Sequence, residues 1–202
     1  MRVLRKYGII VTCLGLLLPA TVVRGEVVCS LGGNNYYNPT SDENASPDAL
    51  RIARNVANAL CSGTCGVALM RNPTAGTVET FIAPNGEAKV VYNPQFMKSI
   101  DTTIGDGAVF GLFAHEVAHV IDGRTSVAWM PGSWDRELRA DAWAGCALGR
   151  AALPDEKTIA AVRAILRYPS PTHPARDMRL PALELGYHSC GGTGSLARGA
   201  TD

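Results

Sequence analysis

The chain has 202 residues, which is enough for one domain with a hydrophobic core and short for two. It carries 19 basic and 18 acidic side chains, and four of the basic ones but none of the acidic ones precede residue 26. The rest of the chain is therefore slightly acidic and has no basic stripe, so we expect no nucleic-acid partner.

The first 25 residues have the layout of a secretory signal peptide, with a basic start and an apolar run over residues 8–18. Val23 and Gly25 satisfy the small-residue rule for signal cleavage, which predicts a mature chain that begins at Glu26. The alternative is an uncleaved membrane anchor, but the apolar run is shorter than the roughly 20 residues that span a bilayer. We expect an exported protein, periplasmic or secreted, without a transmembrane span after cleavage.

The first half of the mature chain predicts one helix and a small sheet. Residues 26–45 are rich in Gly, Asn and Ser, which indicates irregular structure. Ser46 is a suitable N-cap for a helix that begins at Pro47 and ends before Gly63. The strand candidates are residues 67–70 and a hairpin of residues 77–83 and 87–93 around the favoured turn Asn85-Gly86.

The second half predicts helices. They are expected at residues 106–122, 134–150, 154–166 and 175–187. Ser133 is the expected N-cap of the second, and Pro181 is expected to interrupt the last. Residues 191–202 are rich in Gly and Ala and predict a flexible tail. The order of elements predicts an α+β fold with a small antiparallel sheet, and residues 26–190 are expected to form a single domain.

One pattern in the first of these helices indicates metal chemistry. The sequence FAHEVAHVID places His115 and His119 four residues apart, so on a helix they project from one face. Each can offer a ring nitrogen to one zinc ion, while Glu116 lies beside them and can reach a zinc-bound water as general base. The alternative is two buried histidines with a structural role only.

A catalytic zinc site usually has three protein ligands. Asp122 and Thr125 stand where a metzincin would have Gly and His, which excludes that class. In the next helix Glu137 and Asp141 lie one turn apart, so Glu137 is the candidate third ligand. Asp141 can then accept a hydrogen bond from a ligating histidine, with His115 the expected donor. The alternative for this pair is a solvated helix face.

Together these stretches resemble the gluzincin metallopeptidases. The pattern HExxH, then ExxxD, then "PTHPARDMRL", is most similar to the heat-shock membrane metallopeptidases, the CAAX prenyl proteases and the small soluble minigluzincins. The resemblance covers roughly residues 87–186. It implies that His173 donates to the oxyanion or substrate, that Arg179 braces the acidic cluster, and that residues 89–93, ending at Asn93, form an edge strand above the zinc that binds substrate. Unlike the membrane-bound relatives, this chain predicts no membrane helices after the signal segment.

The cysteines are expected to be oxidised in an exported protein. Cys61 and Cys65 are spaced for a local bridge, with Gly63 allowing the turn. Cys29 and Cys190 lie near the two ends of the mature domain and could close a long loop, which would leave Cys146 as a buried thiol. Several pairings remain open on the sequence alone.

These observations predict an exported, zinc-dependent metalloendopeptidase with one zinc ion per chain and a peptide or protein substrate. The alternative from another class is a catalytically silent cell-envelope binding module that keeps zinc for stability. The presence of Glu116 and the lack of an evident fourth protein ligand favour the enzyme. The sequence indicates neither the substrate sequence nor the oligomeric state.

Overall fold

A computed structural model describes residues 26–30, 37–167 and 173–201, so the predicted signal segment lies outside the described residues. The predicted α+β fold is confirmed. The helices are α1 Pro47–Cys61, α2 Pro94–Ile104, α3 Asp106–Asp122, α4 Arg136–Ala151, α5 Asp155–Arg167, α6 Arg176–Ser189 and α7 Ala197–Ala200, and the strands are β1 Glu26–Ser30, β2 Glu43–Asn44, β3 Val67–Arg71, β4 Val78–Ile82 and β5 Ala88–Tyr92. None of the described helices is long and apolar enough to cross a membrane.

The sheet is mixed, which differs in one pairing from the predicted antiparallel sheet. Its described strands lie in the order β1-β4-β5-β3-β2. The predicted hairpin is present as β4 and β5, but β5 also pairs in parallel with β3. The prediction that residues 89–93 form an edge strand is therefore wrong, because β5 has a neighbour on each side. The edge strands are β1 and β2. They were not predicted, because the Gly- and Asn-rich composition of residues 26–45 indicates irregular structure.

Asn93 has a structural role that the sequence analysis did not foresee. It is the N-cap of α2, and its Oδ1 accepts hydrogen bonds from the backbone N–H groups of Gln95 at 2.9 Å and Phe96 at 3.1 Å. Its side-chain amide donates to the carbonyl oxygen of Ala75 at 2.8 Å. Asn93 thus joins the end of β5 to a helix that was not predicted, and it does not belong to a substrate-binding edge.

The apolar helix α3 has the predicted bounds and forms the centre of the protein. Every residue from Gly107 to Ile121 is buried, because the sheet, α4 and α5 surround the helix. This burial accounts for its near-continuous apolar sequence. The sheet lies on one side of α3, with β4 its nearest strand, and α4 on another, so polar groups from both reach the same stretch of the helix.

Helices α4 and α6 pack with their backbones in close contact. A Cβ atom on Gly145 would collide with the carbonyl oxygen of Leu183, and one on Gly186 would collide with that of Ala142. The N-cap of α4 is Asp135, whose Oδ1 accepts from the N–H of Leu138 at 3.0 Å, and the predicted cap Ser133 lies outside the helix. The predicted interruption at Pro181 is also wrong, since α6 continues through it.

Two disulfides are present among the described residues. Cys61 and Cys65 form the predicted local bridge. Cys146 is bonded to Cys190, so the predicted Cys29–Cys190 bridge and the predicted free thiol at Cys146 are both wrong. The reason is that α4 and α6 pack side by side in the same direction, with Asp141 near Arg179 and Gly149 near Tyr187, which brings Cys146 to the end of α6. Two disulfides are consistent with an oxidising compartment.

The C-terminal residues are not the predicted flexible tail. The helix α7 contacts α5, Leu196 is buried, and the guanidinium of Arg176 donates to the carbonyl oxygen of Ala200 at 2.6 Å. The N–H of Leu196 donates to the carboxylate of Glu184 at 3.0 Å. The high Gly and Ala content of this segment reflects close packing, because a Cβ on Gly199 would collide with Val162.

Candidate metal centre

Three side chains from two helices converge on one point. His115 and His119 project from α3, and Glu137 reaches them from the first turn of α4. The Nε2 atoms of the two histidines are 3.2 Å apart, and Oε2 of Glu137 lies 3.3 Å from His115 Nε2 and 3.6 Å from His119 Nε2. All three residues are buried. They form a group that could hold a metal ion.

The spacing of these donors fits a small tetrahedral ion. Three donors bound tetrahedrally at the usual zinc distances are about 3.3 to 3.4 Å from one another. The three observed separations fall on both sides of that value. Two imidazole nitrogens and one carboxylate oxygen are also a donor set that zinc accepts. The geometry of the three donors therefore fits a small metal ion.

Asp141 and Arg179 support this group from behind. Oδ1 of Asp141 lies 2.9 Å from His115 Nδ1, so the ring donates its Nδ1 proton to the carboxylate and turns Nε2 toward the other donors. Arg179, on α6, donates to the same carboxylate at 2.7 and 2.8 Å and to the carbonyl oxygen of Ile165 at 3.0 Å. These are the contacts that the sequence analysis expects for both residues.

The predicted alternative of a solvated face for Glu137 and Asp141 is wrong. Glu137 is 8% exposed and Asp141 is fully buried. Arg136 and Arg139 are the cations that would flank a solvated face, but Arg139 binds Asp122 at the end of α3 at 2.9 Å. The two acids face the histidines because α4 packs along α3.

Burial and hydrogen bonding shift the charges of this group in opposite ways. Burial alone lowers the pKa of His115, but its hydrogen bonds to Asp141 and Glu137 outweigh this effect and raise the pKa to about 9. Burial likewise raises the pKa of Glu137, but three imidazole hydrogen bonds outweigh it and lower the pKa far below its ordinary value. Burial lowers the pKa of His119. The group thus holds an ionised carboxylate against two imidazoles of different basicity.

The two histidines differ in how they are held. His115 has the carboxylate partner on its Nδ1, whereas His119 Nδ1 is buried and has no hydrogen-bond partner among the described residues. The His119 ring is therefore held through its Nε2 contacts with His115 and Glu137 and through an edge-to-face contact with the His115 ring, at 4.8 Å between centroids.

Glu116 contacts a residue that the sequence analysis missed. The hydroxyl oxygen of Thr80, on β4, lies 2.6 Å from Glu116 Oε2 and 2.9 Å from the carbonyl oxygen of Glu116. Both residues are fully buried. The available signal was the alternation of β4, which puts Thr80 on the same face as Val78 and Ile82 and so leaves a polar side chain on an inward-facing surface.

His173 is buried beside the group and is not a solvent-exposed turn residue. Its Nε2 lies 3.1 Å from Glu137 Oε2, and its ring centroid is 5.8 Å from that of His115. The structure therefore brings together His115, His119, Glu137, Asp141, His173 and Arg179. Glu116 adjoins His115 on α3, with its carboxylate at Thr80. Of the predicted site residues only Asn93 has a separate, structural role, as the cap of α2.

Comparison of the chain with protein-family models, with curated proteins and with solved structures finds no match. The resemblance to gluzincins therefore rests on the motif residues alone and stays a prediction.

Proposed function

We propose that the protein is an exported zinc metalloendopeptidase of the gluzincin type, with His115, His119 and Glu137 as the zinc ligands. The observation that carries the proposal is the separation of 3.2 to 3.6 Å among the three donor atoms. Three buried ionisable groups would be costly at this spacing without an ion to bind them. The carboxylate support of His115 is also the usual companion of a ligating histidine.

A bound zinc ion would polarise the scissile carbonyl and lower the pKa of a water molecule to about 7. Glu116 follows His115 directly along α3, and its carboxylate would accept the proton of the water and pass it to the leaving amine. His173 would donate a hydrogen bond to the developing oxyanion. Asp141 and Arg179 would keep His115 in the tautomer that presents Nε2.

Export is the second part of the proposal. It is supported by the signal-peptide layout of the first 25 residues and by the Cys61–Cys65 and Cys146–Cys190 disulfides. The substrate would be a peptide or protein outside the cytoplasm.

One observation favours the alternative, a catalytically silent module stabilised by zinc. His115, Glu116, His119 and Glu137 are each at most 8% exposed, as in a structural site. Against this stands the small number of donors, because structural zinc sites usually have four protein ligands. The two functions predict the same metal content and different activity.

The test is zinc content and casein cleavage of the mature protein and three variants. Glu116→Gln should keep about one zinc per chain and lose cleavage, because the amide cannot accept a proton. Glu137→Ala should lose zinc as well as cleavage. Glu156→Gln, a change of an exposed glutamate on α5, is the matched control and should match wild type in both. Full zinc content with no cleavage by wild type would support the binding module, and cleavage by Glu116→Gln would refute the mechanism.

A further inference from the structure

Thr80 makes an unusual contact for a residue in the middle of a sheet. It lies on β4, is fully buried, and directs its hydroxyl away from the sheet to Glu116 on α3. Its distance of 2.6 Å to Glu116 Oε2 is in the range of a hydroxyl that donates to an ionised carboxylate. A valine would fill the same volume without placing a hydroxyl against an apolar helix. Packing alone therefore does not explain a threonine here.

The position of this hydroxyl is fixed by the backbone on both sides. Thr80 is paired with Val90 of β5 and with Cys29 of β1 in two antiparallel ladders, so its Cα cannot move without breaking both. A β-branched side chain is also restricted in χ1. A rigid donor of this kind can hold a long, flexible glutamate side chain in one orientation.

We propose that Thr80 is the positioning residue of Glu116, an inference that rests on the proposed peptidase function. Among the described hydrogen bonds it contacts none of the three proposed zinc ligands, and its hydroxyl reaches only the side chain and backbone of Glu116. Its effect on the reaction would therefore pass through Glu116 alone.

The two acceptors near the hydroxyl suit the change of charge that a general base undergoes. While Glu116 is ionised, Thr80 donates its single proton to Oε2. When Glu116 holds the proton taken from water, the carboxyl group can donate to Thr80 Oγ1, and the hydroxyl can turn its own proton to the Glu116 carbonyl oxygen, 2.9 Å away. Thr80 keeps its proton throughout, and the proton from water passes from Glu116 to the leaving amine. The contact thus holds Glu116 in place in both states.

The test compares Thr80→Val, Thr80→Ser and the matched control Thr158→Val, which removes the hydroxyl of another buried threonine, on α5. Thr80→Val should lower kcat about tenfold or more, a part of the 10²–10⁴-fold contribution of a general base, while KM and zinc content stay unchanged. Thr80→Ser should restore most of kcat because it restores the hydroxyl, and Thr158→Val should match wild type. Unchanged kcat in Thr80→Val would overturn the proposal.

A second measurement separates this inference from the proposed function. Side-chain carboxyl ¹³C labelling of glutamate, with the Glu116 signal identified from Glu116→Gln, reports the contact at fixed pH without any cleavage. Thr80→Val should shift this signal, and Thr158→Val should not. An unshifted signal overturns the contact itself. A shifted signal in a protein that cleaves no peptide overturns the catalytic role of Thr80 together with the peptidase proposal. If Thr80→Val does not fold, the smaller Thr80→Ala replaces it in both measurements.

Discussion

The guanidinium of Arg179 donates two hydrogen bonds to the carboxylate of Asp141, from Nε to Oδ2 at 2.7 Å and from Nη2 to Oδ1 at 2.8 Å. Both side chains are almost fully excluded from solvent, with exposures of 1% and 0%. The charge of Arg179 therefore allows Asp141 to remain ionised in the core, and its pKa is held below the ordinary value although burial alone would raise it. An ionised Asp141 is what fixes the His115 ring.

Loss of Arg179 should therefore be costly. Arg179→Ala removes the guanidinium that binds both oxygens of a buried carboxylate and leaves only the His115 ring beside Asp141, so we expect the free energy of unfolding to fall by about 3–5 kcal/mol. The matched control is Arg198→Ala, which removes an ion pair to Asp155 whose side chains are 68% and 81% exposed, and it should cost at most about 1 kcal/mol. Urea unfolding of the metal-free proteins measures both. Equal losses in the two variants would contradict the role given to Arg179.

The stability of the metal-free protein should fall as the pH rises. The pKa of His115 is raised from 6.5 to about 9 in the folded chain, so the folded state binds this proton more tightly than the unfolded state. The resulting stabilisation is complete below pH 6.5 and is lost as the pH rises through 9. The pKa of His119 is lowered in the folded chain, so this residue changes the stability only below pH 6.5, where it makes the stability rise with pH.

The zinc-loaded protein should behave differently over the same range. Zinc displaces the proton of His115, so zinc binding strengthens as the pH rises. This stronger binding compensates the stability that the metal-free protein loses over the same range. Urea midpoints at pH 6, 7.5 and 9, with chelator and with zinc, measure the two trends. A chelated protein that is as stable at pH 9 as at pH 6 would show that His115 is not held as a cation by Asp141.

The parts of the site that were predictable are those that depend on local spacing. His115 and His119 share a helix face because they are four residues apart, and the same holds for Glu137 and Asp141. Thr80 was missed because its role depends on which strand of the sheet lies against α3, and a threonine within a strand is ordinary in sequence. The alternation of β4 indicates that Thr80 faces inward, but it does not indicate which helix lies against that face.

The fold shows the same division. The cap Ser46 and the turn Asn85-Gly86 act through neighbouring residues, and the elements they predict are present. The order of the strands and the partner of Cys190 depend on contacts between distant segments. The edge position assigned to residues 89–93 was wrong for this reason, since β3 comes to lie beside β5 only through the tertiary fold.

The two disulfides should contribute unequally to stability. Cys146–Cys190 spans 44 residues and Cys61–Cys65 spans four. Restriction of the unfolded chain grows with the length of the closed loop, which gives about 4 kcal/mol for the first and about 2 kcal/mol for the second. Cys146→Ala/Cys190→Ala should therefore lower the free energy of unfolding more than Cys61→Ala/Cys65→Ala. Chemical unfolding of the two double variants decides this, and a larger loss from the short bridge would contradict it.

Two roles are open to His173, which is buried beside the candidate metal centre. Its Nε2 lies 3.1 Å from Oε2 of Glu137, so it can brace this proposed zinc ligand, and the resemblance to gluzincins implies a second role as a donor to the oxyanion. If it is an oxyanion donor, as proposed, His173→Ala should lower kcat by about 10²-fold or more. Zinc content should stay at the wild-type level, because His173 is not one of the three proposed ligands.

The measurement is kcat and zinc content of His173→Ala beside the matched control His188→Ala. His188 is exposed at the end of α6, where its ring contacts the carbonyl oxygen of Gly192 at 3.1 Å, and its loss should leave both quantities unchanged. A variant that loses zinc in proportion to activity would show that His173 acts by holding Glu137. A variant that keeps its zinc but loses turnover would support the oxyanion role, because a hydrogen bond made in the transition state contributes to kcat and not to metal binding.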